Sequence, residues 1–231
     1  MSIKTNIEYI QGLKAEAAVR SGRKPEDVLL VAVTKLHTPQ EMNEAIDAGI
    51  TDIGENKVQE IMDKYEHVKP VKWHLIGHLQ TNKVKYIIDK VYMIHSVDSL
   101  HLAQEIDKRA ASHGIKMNIL IQVNSAMEES KFGITTEETG KLIEDIIETC
   151  PNIIIKGMMC IAPFEDNPDD ARVYFAKVKE LYDKYSKLDN ERIDFEYLSM
   201  GMSNDFEVAV EEGSNLIRVG TAIFGARDYS K

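Results

Sequence analysis

The chain has 231 residues, 43% of them hydrophobic, enough for a sizeable core in one large domain or two small ones. Its formal net charge of −10 argues against a general nucleic-acid binder, whose affinity rests on neutralising phosphates, although an acidic protein can still carry a locally positive pocket. No apolar run reaches the roughly 18 residues of a spanning helix. The amphipathic, mixed-charge N-terminus also lacks the apolar core of a signal peptide, so a cytoplasmic protein with no membrane partner is expected.

In chain order, a first amphipathic helix is expected over about 4–21, outside the repeat that follows it. Apolar, strand-like runs then recur at 28–34, 52–56, 72–77, 92–97, 118–124, 153–162, 195–201 and 216–225. Amphipathic stretches such as 39–49 and 99–114 separate most of them. Alternation of strand and helix implies parallel pairing with helical crossovers, and continuous rather than alternating apolar strands imply cover on both faces. Eight such units predict an α/β fold, a closed (β/α)8 TIM barrel with an extra N-terminal helix. A doubly wound open sheet is the alternative, lowered by the absence of a G-x-G-x-x-G after the first strand. No low-complexity segment or Gly/Ser linker divides residues 1–231, which read as a single domain. Cys150 and Cys160 are too few for a disulfide framework, and Cys160 reads as a core residue.

In a barrel the functional residues sit at the C-terminal ends of the strands. That rule gathers Lys35 after strand 1, Asn56 at the end of strand 2, His78 after strand 3, the stretch SMGMSND after strand 7, and Arg218, Gly220 and Thr221 in and after strand 8. Barrels often hold a phosphate between the loops after strands 7 and 8. Gly201 and Gly220 allow close backbone approach, Ser203, Asn204 and Thr221 offer hydroxyl or amide groups, and Ser203 or Asn204 is expected to cap the helix DFEVAVEEG. The alternative is a capped helix and two turn glycines with no ligand.

With a phosphate cradle opposite, Lys35 could hold pyridoxal 5′-phosphate as a Schiff base, since lysine amines condense with carbonyl compounds. The alternative is a strand-end lysine in water. Arg218 shares a strand face with Gly220 and could meet the cofactor's pyridine nitrogen, disfavouring its protonation and weakening the electron sink. Otherwise it pairs with Glu211 or Glu212 at the barrel base. His74 and His78 have helical metal-pair spacing but straddle a strand end with no acidic partner nearby in sequence, so no metal site is expected. Met158, Met159, Met200 and Met202 read as core filler, and EDNPDD at 165–170 as a solvated loop and helix start.

The stretches VAVTKLHTPQEMNEAIDAGITDIGENKVQE, WHLIGHLQTNKVK, EESKFGI, IKGMMCIAP and LSMGMSNDFEVAVEEGSNLIRVGTAIFGARDY together resemble the pyridoxal phosphate homeostasis proteins over about 28–228. The resemblance implies one domain like the N-terminal domain of alanine racemase, the fold type III of pyridoxal phosphate proteins. It implies that Lys35 carries pyridoxal 5′-phosphate as a Schiff base. Ser203, Gly220 and Thr221 would hold the phosphate, Arg218 would face the ring nitrogen, and Asn56, Ser199 and Met200 would line the ring. Three stretches depart from the family pattern: KLH after strand 1, lysine in GENK where tyrosine is common, and Met127 where glycine is frequent.

The function implied is a carrier that buffers the cofactor pool and maintains vitamin B6 and amino-acid balance without robust catalysis. Enzymes lacking their cofactor are possible recipients, and a monomer is favoured over a dimer. The rival is a pyridoxal phosphate-dependent racemase or decarboxylase. Racemisation of the alanine racemase kind needs a second base, a tyrosine from a partner subunit. This chain ends just past strand 8, and nothing marks Tyr92, Tyr197 or Tyr229 as that base. A third reading, a sugar-phosphate barrel enzyme, predicts no Schiff base at all.

Overall fold

The computed structural model describes residues 2–128 and 131–225. Eight strands follow one another around a closed barrel, each hydrogen-bonded to the next and the last to the first. They are β1 (Leu29–Val33), β2 (Asp52–Glu55), β3 (Lys72–Leu75), β4 (Met93–Val97), β5 (Met117–Val123), β6 (Ile153–Cys160), β7 (Ile193–Ser199) and β8 (Leu216–Val219). Every pairing is parallel. The closed ring bears out the barrel and removes the open-sheet alternative.

Helices pack outside: α1 (Ile3–Arg20), α2 (Pro39–Asp47), α3 (Val58–Lys64), α4 (Leu100–Ser112), α5 (Thr139–Thr149), α6 (Arg172–Tyr185), α7 (Phe206–Glu211) and the single turn α8 (Thr221–Phe224). The crossover from β3 to β4 is a 3-10 helix over Thr81–Tyr86. Local chemistry sets the starts. Thr38 and Glu41 form a capping box at α2 with Pro39 at its first position, and Ser99 caps α4. No described helix is long and apolar enough to cross a membrane.

Two apolar layers result. The large one lies between strands and helices and takes Leu30, Ala32, Ile53, Trp73, Leu75, Ile217 and Val219. Residues of opposite strand parity point to the barrel axis. There Met93, Leu120 and Met159 form a small separate cluster against Tyr92 and Tyr197. Met158, Met159 and Met200 are buried filler, whereas Met202 is exposed on the rim. β8 ends at Val219 rather than running to 225: Gly220 turns the chain with φ −121° and ψ −73°, and the apolar residues after it form α8.

Candidate functional site

Leu30 and Ala32 belong to the outer core, so alternation carries Val31, Val33 and then Lys35 toward the axis. Lys35 is half-buried in a turn that Leu36 completes at φ 66°, a conformation costing a leucine about 1–2 kcal/mol. α3 clamps this turn. The Glu60 carboxylate accepts the Leu36 N–H at 2.6 Å, and Lys64 Nζ donates to the Thr34 carbonyl at 3.1 Å, to Glu55 at 2.8 Å and to Glu60 at 2.7 Å. Glu55 is fully buried; burial raises its carboxyl above the ordinary range, against the pull of the Lys64 ammonium. The sequence reading missed this clamp, although the i, i+4 spacing of Glu60 and Lys64 was a visible signal.

The loops after β7 and β8 lie beside that turn because β8 pairs with β1. A Cβ on Gly220 would stand 3.1 Å from both Val33 Cβ and the Val33 carbonyl oxygen, so a larger residue would push the two strand ends apart by a few tenths of an ångström. The His37 ring stacks on Phe224 of α8 at 4.5 Å between centroids, closing the same junction further out. Gly201, at φ 92°, packs where a Cβ would meet Ala209 Cβ at 2.7 Å. Contrary to the expected cap, the residue before α7 is Asp205, which accepts the Met202 N–H at 2.6 Å. Ser203 is thereby left to face α8, its hydroxyl 3.5 Å from the Ala222 N–H, while Asn204 turns outward to the Glu165 carbonyl. The structure thus brings Ser203, Gly220 and Thr221 together beside the end of β1.

Arg218 points to the axis and is 3% exposed. It donates through Nη1 to the carbonyl and hydroxyl oxygens of Ser199, and through Nη2 to the Cys160 carbonyl at 2.9 Å. It does not pair with Glu211 or Glu212; those carboxylates receive Arg172 and, for Glu211, Arg20. Asn56 follows β2 at the rim, its Oδ1 buried with no hydrogen-bond partner among the described residues, and Gly77 is pressed against its backbone so tightly that a Cβ would lie 2.3 Å from the Asn56 carbonyl oxygen. Met200 is fully buried in the outer core, so its side chain lies outside the barrel axis.

The histidines separate. His78 stacks on Phe132 at 3.9 Å on the rim. His74 lies inside the barrel with an acidic partner the linear reading did not supply, Asp52 at 2.8 Å. Tyr92 and Tyr197 pack against the inner cluster at the N-terminal end of the strands, away from Lys35, and Tyr229 lies outside the described residues. Leu36, Phe132, Ile161, Phe164 and Met202 expose apolar surface around the mouth, and a cavity of about 250 Å³ opens beside the last three.

At the rim of β1, β2 and β8 the structure thus gathers a lysine amine, the uncharged residues Ser203, Gly220 and Thr221, an Asn56 oxygen without a hydrogen-bond partner among the described residues, and, on the axis, the Arg218 cation. Comparison with known proteins agrees. Residues 13–228 match the family described as alanine racemase, N-terminal domain. A protein of Aquifex aeolicus named pyridoxal phosphate homeostasis protein is 44% identical over 216 residues, covering 93% of each chain. One of the same name from Escherichia coli K12 is 36% identical, covering 99% of this chain and 98% of its own. The solved structure of PipY from Synechococcus elongatus PCC7942, described as having PLP bound, superposes with a TM-score of 0.78 at 31% identity, covering 92% of this chain and 99% of that one.

Proposed function

The chain belongs to the alanine racemase N-terminal domain family and, within it, to the pyridoxal phosphate homeostasis proteins; on that premise we propose that it binds pyridoxal 5′-phosphate and buffers or carries it, maintaining vitamin B6 and amino-acid balance. The observation that carries the reading is the junction of the Lys35 turn with the Ser203–Gly220–Thr221 cradle, drawn together by the Gly220–Val33 approach and the His37–Phe224 stack. When bound, the cofactor supplies an aldehyde that a lysine amine holds as a Schiff base and a ring whose electron demand depends on the group at its nitrogen.

Lys35 is the amine in this reading. Ser203, Thr221 and the backbone at Gly220 take the phosphate, and Asn56 and Ser199 border the ring, with Met200 backing them through its backbone. Arg218 faces the ring nitrogen. A guanidinium donates only and does not give up its proton, so it holds that nitrogen unprotonated. That limits carbanion chemistry and suits a carrier without robust catalysis. Tyr92 and Tyr197, at the far end of the strands, are badly placed to serve as an opposing base.

The exposed apolar side chains around the mouth suit transient contact with enzymes lacking their cofactor, and the acidic net charge disfavours nucleic acid. We place the protein in the cytoplasm as a single-domain monomer, where two buried free thiols suit a reducing milieu. The test has two arms. Loaded protein is mixed with an apo-enzyme that requires pyridoxal phosphate, and activity recovery is followed. Loaded protein is also incubated with L- and D-alanine, serine, lysine and ornithine, following chirality and carbon dioxide. Recovery without turnover supports the carrier; turnover near enzyme rates, roughly 1 per second or more, supports an enzyme instead.

A further inference from the structure

Arg218 poses an electrostatic problem that the site does not answer. It is a buried cation, and none of its bonds among the described residues goes to a carboxylate. Asp205 acts on it across space, but that carboxylate is tied to the Met202 N–H. Below Arg218, four strands each place one inward side chain in a continuous line. The Ser199 hydroxyl lies 3.2 Å from His95 Nδ1, His95 Nε2 lies 2.9 Å from His74 Nδ1, and His74 Nε2 lies 2.8 Å from Asp52 Oδ1. The two imidazoles meet edge to face, 5.0 Å between centroids and 84° between planes, which aims a ring N–H of one at a ring lone pair of the other.

We propose that Asp52, His74 and His95 form a one-way hydrogen-bond chain that carries a counter-charge through Ser199 to Arg218, making the two histidines positioning residues for the group that faces the cofactor's ring nitrogen. The proposal rests on the pyridoxal phosphate reading only for its last link, the cofactor.

Both ends force the same direction. Arg218 has donors only, so the Ser199 oxygen accepts from it and the single hydroxyl hydrogen is left to donate to His95 Nδ1. At the other end Asp52 also accepts from Thr51 Oγ1 at 2.7 Å. Burial works to raise the Asp52 carboxyl, but the bonds from His74 and Thr51 outweigh it and hold it below the ordinary value, so it is ionised and accepts only. His74 therefore donates from Nε2. Burial lowers both histidines, His95 further because His74 and Arg218 flank it. Both rings are neutral, so each carries one proton. With His74 Nδ1 bare, His95 must donate from Nε2, which bares His95 Nδ1 for Ser199. Neither tautomer is free to choose, and four bonds point from Arg218 to Asp52. Arg218 is fixed with one Nη2 hydrogen and the Nε hydrogen uncommitted by these contacts, available to a ring nitrogen on the axis.

The test begins with the full chain free of cofactor and labelled with nitrogen-15 histidine. Long-range proton–nitrogen correlation at pH 7 reads each tautomer without any variant. Both His74 and His95 are expected neutral with the proton on Nε2; an Nδ1 proton or an imidazolium at either position overturns the chain. The second arm loads the protein with pyridoxal 5′-phosphate labelled in its ring nitrogen. Asp52→Asn is expected to shift that resonance in the otherwise native chain and to leave it in place in a His95→Leu background, where the chain is cut. An equal shift in both backgrounds means the charge acts through space and overturns the proposal. Failure of the native chain to take up the labelled cofactor refutes the pyridoxal phosphate reading instead, and the tautomers still decide the chain.

Discussion

The backbone N–H of Leu36 donates to the Glu60 carboxylate at 2.6 Å, and Leu36, immediately after Lys35, holds a left-handed φ of 66°. A helix that follows β2 therefore sets the turn that presents the β1 lysine. Glu60→Ala is expected to lower stability by about 1.5–3 kcal/mol, the scale of a hydrogen bond to a charged group, and to weaken cofactor retention. Leu36→Gly relieves the left-handed strain and is expected to leave stability unchanged or slightly raised. Urea titrations with a cofactor-binding assay check both; native stability in Glu60→Ala would remove the clamp from the account.

Ser203→Ala and Thr221→Val are each expected to weaken pyridoxal 5′-phosphate binding by about 1–3 kcal/mol while leaving the urea midpoint near that of the native chain. Both side chains sit on the rim, Ser203 with its hydroxyl toward the Ala222 N–H. Pyridoxal, which lacks the phosphate, is expected to bind far more weakly than the phosphate to the native chain. Equal affinity of the double variant and the native chain would empty the cradle of its role.

Glu55 predicts a pH dependence. Burial outweighs the Lys64 ammonium at 2.8 Å and raises its carboxyl. A group whose folded value is raised contributes stability that is fully present below its unfolded value, about 4.3, and is lost as pH rises through the folded value. Glu55→Gln lacks that loss, so the urea midpoint of the variant is expected to gain on the native chain between about pH 4 and pH 8. A gap that narrows over that range would contradict the assignment.

The thiols give a simpler check. Burial pushes Cys160 up to about 12 and raises Cys150 as well. At pH 8 the native chain is expected to resist iodoacetamide at both positions and to take up two equivalents in urea, read by intact mass. Rapid labelling of Cys160 without denaturant would mean that the β6 end opens to solvent.

Much of the fold was legible because buried parallel strands are written as continuous apolar runs, as in VLLVAVT and NILIQVN. The barrel rule then gathered Lys35, Ser203, Gly220 and Thr221 on one rim. Local chemistry misled where two readings share a composition. TAIFG is as apolar as a strand, yet the turn at Gly220 makes it α8. Ser203 and Asn204 were the expected caps of α7, yet the helix starts after Asp205, whose carboxylate closes back on the Met202 N–H. The pairing of His74 with Asp52 and His95, 22 and 21 residues away, was beyond linear reading, since only strand register brings them together. The same holds for Arg218 on β8, whose partners Ser199 and Cys160 stand on β7 and, one strand further, β6.

The central claim is that Lys35 holds the cofactor beside the β8 cradle. The most direct measurement incubates the native chain and Lys35→Ala with pyridoxal 5′-phosphate, reduces each with borohydride, and maps the adduct by peptide mass spectrometry. The account predicts one stoichiometric pyridoxyl group on the peptide bearing Lys35 in the native chain and its loss in the variant. A stoichiometric adduct on another lysine, or one that persists undiminished in Lys35→Ala, would contradict it.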